Sequence, residues 1–204
     1  MNGIKAAIIA AAATAVGLGL AGAASAQAVQ VVGDGFGESC WRAAVATTFM
    51  HIDSAKMDAR WKADAISACD DALKISRLDR KDTASTWVNR GILEMSRERY
   101  ANARGNFKEA LKIIPNLPEA HVDIGSALIN MQKFDEGIKE TELGLSMGSK
   151  EPERGYYNLG LAYGLLGNQQ KAYESFRRAS ELNPAWTDPK VEMARFTVEK
   201  VERK

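Results

Sequence analysis

The chain has 204 residues, of which 46% are hydrophobic and 26% charged, the proportions of a folded globular protein. Lys and Arg number 27 against 26 Asp and Glu, so there is no general attraction to nucleic acid or to anionic lipid. Only five prolines and no long Gly, Ser or Pro tract argue against a large disordered portion.

The first 26 residues differ from the rest. Lys5 is their only charge, AAIIAAAATAVGLGLAGAA follows as a small-residue apolar run, and Ala24, Ser25 and Ala26 precede Gln27. This three-part layout predicts a secretory signal peptide over residues 1–26, cleaved after Ala26. The style of the leader points to a bacterial chain, periplasmic or secreted once mature. The run is too weakly hydrophobic to be a good membrane span, so none is expected in the mature chain. Glu38 and Ser39 stand before Cys40 where a lipobox would need small apolar residues, which argues against lipidation there.

Residues 27–37 include the glycine-rich start of GDGFGESC, Gly33 to Cys40. Lone glycines are a weak phosphate-loop signal, and a flexible leader is the preferred reading. Cys40 and Cys69 are the two cysteines. In an oxidising compartment an even pair favours a disulfide over two separate buried thiols, and neither sits in a CxxC spacing.

An internal repeat organises the rest of the chain. Gly91, Gly125 and Gly160 are separated by 34 and 35 residues, within TWVNRGILEM, AHVDIGSALI and YYNLGLAYGL. At matching offsets beyond them lie Ala103, Gly137 and Ala172, then Phe107, Thr141 and Phe176. Ala110 and Ala179 follow, then Pro115 and Pro184. Upstream, KADAISACDDALKIS parallels ARGNFKEALKII, with Ala65, Cys69 and Ala72 in the places of Ala103, Phe107 and Ala110.

These residues resemble the tetratricopeptide repeat, whose pattern is an aromatic, Leu-Gly and Tyr on a first helix, then Ala, Phe and Ala on a second, then Pro. Trp87, Gly91, Ala103, Phe107, Ala110 and Pro115 match in one copy. Tyr156, Leu159, Gly160, Tyr163, Ala172, Phe176, Ala179 and Pro184 match in another. The copy between them keeps Ile124, Gly125 and Leu128, but Gly137, Thr141 and Gly144 stand in its second helix, and one extra residue enters near Ser149. The resemblance implies an all-α, right-handed α-solenoid of antiparallel helix pairs. Repeats are expected at 84–117, 118–152 and 153–186, with a degenerate helical repeat at 38–83 before them. Its first helix would lie near Glu38 to His51, around SCWRAAVATTF. After Trp186, TDPKVEMARFTVEKVER starts with a Thr-Asp-Pro signal and reads as a capping helix over 187–204, with Val191, Met193, Ala194 and Val198 on its apolar side.

In such a repeat small residues at Gly91, Gly125 and Gly160 let the paired helices approach. Trp87, Phe107, Tyr163 and Phe176 are expected to fill the space between repeats. Gly167 and Asn168 mark a turn, and Gly164 is expected to project toward the groove. A Cys40–Cys69 bridge would staple the degenerate repeat, worth roughly 3 kcal/mol for a loop of that length.

The resemblance also implies a concave groove lined by the first helices. Its positions fall here on Val88, Asn89, Ile92, Val122, Asp123, Ser126, Asn130, Arg154, Tyr157, Asn158, Leu161 and Arg195. Asn and Asp flanked by apolar side chains suit an extended peptide or a partner helix. The family's carboxylate-clamp variant uses Lys, Asn, Asn, Lys and Arg. Val88 and Ile92 stand at its first Lys and Asn positions, which argues against capture of a C-terminal carboxylate in that manner.

No catalytic constellation competes with this reading. Gly160 and Gly164 match a small-xxx-small membrane motif, but their apolar run is too short to span. No Gly-x4-Gly-Lys phosphate loop occurs. His121 takes the aromatic place of its repeat, and His51 lies at a predicted helix end with no local second ligand. The expectation is a non-enzymatic scaffold without metal or cofactor that binds a protein or peptide. The alternative is a self-associating structural or envelope-assembly accessory.

Overall fold

The computed structural model describes residues 35–49, 59–75 and 77–196. Among the described residues there are nine α-helices and no strand. They are α1 Gly35–Phe49, α2 Ala59–Ile75, α3 Arg80–Met95, α4 Tyr100–Ile113, α5 Pro118–Asn130, α6 Phe134–Ser146, α7 Pro152–Leu165, α8 Gln169–Leu182 and α9 Asp188–Met193. The signal-peptide segment, residues 27–34, His51 and residues 197–204 lie outside the described residues. α1 begins at Gly35, three residues inside the expected flexible leader.

The helices pair as α1 with α2, α3 with α4, α5 with α6 and α7 with α8, and each pair packs on the next. First helices also meet directly, α1 against α3 and α5 against α7. This is an α-solenoid of stacked helix pairs.

The last three pairs turn in the same way. Arg99 N–H donates to Glu94 C=O (2.9 Å), Lys133 N–H to Leu128 C=O (2.9 Å), and Asn168 N–H to Tyr163 C=O (2.8 Å). This six-to-one bond closes a first helix and requires a left-handed residue just before its donor. Those residues are Glu98 (φ 58°), Gln132 (φ 60°) and Gly167 (φ 79°), so a glycine stands at one of the three. A capping side chain marks the start of two helices. Asp79 Oδ1 accepts Asp82 N–H at 2.7 Å before α3, and Asn168 Oδ1 accepts Lys171 N–H at 3.2 Å before α8.

Close approach inside each pair follows the motif, with one exception. A Cβ built on Gly160 would lie 2.6 Å from the Phe176 ring, and one on Gly91 would overlap the Phe107 ring. Phe107 and Phe176 therefore seat within their own repeats; Phe107 also shares a core with Ile124 and Leu128 of the next. In the middle pair no aromatic intervenes. A Cβ on Gly125 would overlap Thr141 Oγ1 and come within 2.9 Å of the Gly137 carbonyl, and one on Gly144 would lie 2.6 Å from the Pro118 carbonyl. There α5 and α6 meet backbone to backbone, so the degenerate sequence of α6 is what its geometry needs. α6 also leaves differently. Its end turns through Gly148 (φ 84°), whereas α4 and α8 end on extended Ile114 and Asn183 before their prolines. That turn accommodates the extra residue near Ser149.

At the N-terminal end Cys40 and Cys69 are fully buried, their Cα atoms 4.7 Å apart and their sulfurs adjacent. They join a core with Ala44, Ala65, Val88, Ile92 and Phe107. Arg90 ties three helices there. Its Nε donates to Asp70 of α2 at 2.7 Å, its Nη1 donates to Asn106 of α4 at 2.9 Å and lies 3.7 Å from Glu94 on α3.

The C-terminal end is aromatic. Tyr157 lies 5.3 Å from Phe176 and 4.7 Å from Trp186 by ring centroids, and Phe196 lies 5.9 Å from Phe176. The cap itself departs from expectation: α9 has six residues and ends in a turn at Ala194. Val191 is 55% exposed rather than on the packed side, Pro189 is buried, and Met193 and Phe196 make the contact. A Cβ on Gly164 would sit 3.2 Å from Phe196, so Gly164 makes room for that ring rather than for a ligand. No helix among the described residues is long and apolar enough to cross a membrane.

Candidate partner-binding surface

The twelve residues expected to line a groove separate into groups. Val88 and Ile92 belong to the N-terminal core, packed with Cys40 and Ala44. Val122 sits over Gly144 of α6, inside its own repeat. Tyr157 is buried among aromatic rings, with Leu161 packed against the same cluster. Arg195 lies at the far end, half-exposed and 2.9 Å from Glu192. Five of the apolar expectations are thus packing residues, which sequence offsets cannot distinguish from lining residues because both lie on the first helix.

The other six are polar and fall on first helices at repeat spacing. Asn89 is buried on α3, Asp123 and Ser126 are buried on α5 with Asn130 one turn further on, and Asn158 is buried on α7 above Arg154. Asp123, Ser126 and Asn130 share one face by their spacing of three and four. Asn130 Nδ2 donates to the Ser126 carbonyl at 2.9 Å, the i−4 bond of a helical turn.

Most buried polar atoms in folded chains have a hydrogen-bond partner. On this face several have none: Asp123 Oδ2, Ser126 Oγ, Asn130 Oδ1 and, on α7, Asn158 Nδ2. Asp123 and Ser126 are 5% and 2% exposed, so bulk water does not serve them directly.

Burial pushes the Asp123 carboxyl up from 3.8 to about 8, since desolvation penalises the charged form. Arg154 pulls it down, while Glu119 and Glu151 push it further up. Glu151 is itself raised, first by burial, and Arg154 opposes that shift from 3.1 Å away. Glu119 Oε1 accepts Lys150 N–H at 3.0 Å across the α6–α7 connection. Sequence reasoning did not place Glu119 and Glu151 here. They stand beside Pro118 and Pro152 at the starts of α5 and α7, and the pairing of Pro with Glu at the head of a first helix was the available signal.

Elsewhere His121, on α5, pairs with Glu140 of α6 (Nδ1 to Oε2, 2.8 Å), a tie within the repeat. A shallow hollow between α6, α7 and the start of α8 is lined by Asp135, Glu142, Tyr163 and Lys171 among others. Within it Tyr163 Oη donates to Glu142 (3.2 Å) and Lys171 Nζ lies 4.9 Å from the Tyr163 ring centre. Among the described residues no three His, Cys, Asp or Glu side chains gather to hold a metal ion.

Residues 153–185 match the family model of the tetratricopeptide repeat. The fold is that of the tetratricopeptide repeat. Over 92 residues the chain is 27% identical to an E3 ubiquitin-protein ligase CHIP of Arabidopsis thaliana, 45% of this chain and 32% of that protein. The chain thus spans about a third of that relative's length. Among solved structures, the first TPR of Spaghetti (RPAP3) bound to the HSP90 peptide SRMEEVD superposes with a TM-score of 0.52 at 18% identity, over 56% of this chain and 90% of that one. MamA superposes with a TM-score of 0.53 at 22% identity, over 77% and 80% of the two chains. These likenesses show the fold.

Proposed function

We propose that the chain is an exported, non-enzymatic scaffold that holds a peptide or partner protein against the polar face of its first helices, on α5 and α7 above all. The observation that carries this reading is the set of buried polar atoms without partners: Asp123 Oδ2, Ser126 Oγ, Asn130 Oδ1 and Asn158 Nδ2. Unpaired buried polar atoms each cost about 1–3 kcal/mol, and a bound main chain offers both donors and acceptors to recover it. The Spaghetti domain, of the same fold, is bound to a peptide, which supports peptide binding as the class of activity.

The leader over residues 1–26 supports export, and a periplasmic or secreted chain would keep a Cys40–Cys69 bridge oxidised. The binding reading is tested with the full mature chain on an array of random immobilised decapeptides. Peptides are retained by the native chain, and Asn130→Ala with Asn158→Ala weakens retention at least tenfold while Arg178→Ala leaves it unchanged. An array that retains nothing, or a double variant indistinguishable from the native chain, overturns it.

A further inference from the structure

The unpartnered buried side-chain atoms on α5 are all oxygens. Asp123 Oδ2 carries only lone pairs once the carboxyl ionises. Asn130 uses one of its two Nδ2 hydrogens on the Ser126 carbonyl, while its Oδ1 accepts nothing. Ser126 Oγ, between them in sequence, can accept as well as donate. Three oxygens on one helical face therefore call for donors.

Acidic groups outnumber cations nearby. Asp123, Glu119 and Glu151 interact with one another, and Arg154 is the cation among them. Arg154 is already 3.1 Å from Glu151. An anionic ligand group brought here would meet three carboxyl groups and one shared guanidinium. A cationic group would meet the reverse.

We propose that the face formed by Asp123, Ser126 and Asn130 takes a cationic side chain, an ammonium or guanidinium, from an extended peptide. This rests on the peptide-binding reading and gives it a charge preference. The donors of the cation pair with Asp123 Oδ2 and with Ser126 Oγ one turn on, while Asn158 Nδ2 on the neighbouring helix donates to a carbonyl of the same peptide. Docking is coupled to proton release. The neutral carboxyl of Asp123 gives its proton to solvent as the cation arrives, because an adjacent positive charge favours the carboxylate. The charges acting on Asp123 are Glu119 on its own helix with Arg154 and Glu151 on α7.

The test uses the full mature chain and three acetylated, amidated decapeptides that share an apolar frame and carry three Lys and Arg, three Glu, or three Ala. Spermidine serves as a cation without a peptide backbone. The cationic peptide binds at least tenfold tighter than the Glu and Ala peptides. Titration calorimetry in buffers of different ionisation enthalpy finds close to one proton released at pH 7. Asp123→Asn removes both the preference and the proton release, and Ser126→Ala reduces the preference. If the Glu or Ala peptide binds as tightly, or the native chain releases no proton, the charge assignment is wrong and the peptide reading stands. If spermidine matches the cationic peptide, the peptide part of the proposal is wrong. If none of the peptides binds, both fall together.

Discussion

Replacing Asp123 by Asn keeps the shape of the side chain and removes its ionisation. In the native chain the Asp123 carboxyl is raised from 3.8 to about 8 by burial, so the folded state holds this proton more tightly than the unfolded state does. A group shifted in that direction contributes stability that is fully present below the unfolded pKa. That contribution is lost as pH rises toward the folded pKa. The loss therefore runs from about pH 4 to about pH 8. At about 1.4 kcal/mol per unit, the native chain loses about 2–3 kcal/mol from this one group between pH 5 and pH 7. Asp123→Asn does not. Urea unfolding at pH 5, 6, 7 and 8, followed by circular dichroism, reads the difference as midpoints that diverge by about 1 M or more toward high pH. Glu192, also raised by burial, titrates in both proteins and cancels in the difference, which leaves Asp123 and its coupling to Glu151. Parallel curves from pH 5 to pH 8 would show that Asp123 is solvated or paired when folded, and the argument from unpartnered oxygens on α5 would go with it.

Other expectations concern the frame. Gln132 holds φ 60°, a left-handed conformation that costs a side chain about 1–2 kcal/mol, so Gln132→Gly raises the thermal midpoint measured by calorimetry; a lower midpoint refutes the assigned turn. Gly125→Ala forces a Cβ into Thr141 and toward the Gly137 carbonyl, where neither backbone can yield, and destabilises by about 1–3 kcal/mol in urea unfolding; an unchanged midpoint would mean that α5 and α6 are further apart. The mature chain purified from an oxidising compartment does not label with maleimide until reduced, and reduction lowers stability by about 3 kcal/mol by the loop it opens. Labelling of both cysteines without reductant would refute the bridge.

The parts of this fold that sequence reveals are those fixed within one repeat. Gly160 facing Phe176 is a contact between a first helix and its own second helix, so both partners lie at fixed offsets and the motif records them. The middle repeat looked degraded because Thr141 and Gly144 replaced large or expected residues. The structure gives the reason: Gly125, Gly137 and Gly144 allow α5 and α6 to touch along their backbones. The recurrent turn was visible only at Gly167. Glu98 and Gln132 adopt the same conformation without a residue type that signals it, since the six-to-one bond imposes it after the helix has formed. The groove residues were the least legible. Offsets put Val122 and Asp123 side by side as lining positions, yet one faces Gly144 and the other faces Arg154 and Glu151.

That last divergence has a physical origin. Whether a position on a first helix packs, lines or is enclosed depends on how the next first helix approaches it, and the repeat motif does not encode that approach. α5 meets α7 directly, bringing Arg154 and Glu151 to Asp123. The carboxyl is then desolvated by the neighbouring pair while its own repeat offers Oδ2 no donor. A protein selected only for stability would place Asn or an apolar residue at such a position, because a buried carboxyl without a partner opposes folding as soon as it ionises. Keeping Asp123 there is a sacrifice of stability above pH 4, and in the proposed complex a ligand cation would recover it at the moment of binding. The same carboxyl is thus read twice: through the pH-dependent gap between the native chain and Asp123→Asn when free, and through the proton released when the cationic peptide binds. Agreement between the two measurements is required if one carboxyl is responsible for both.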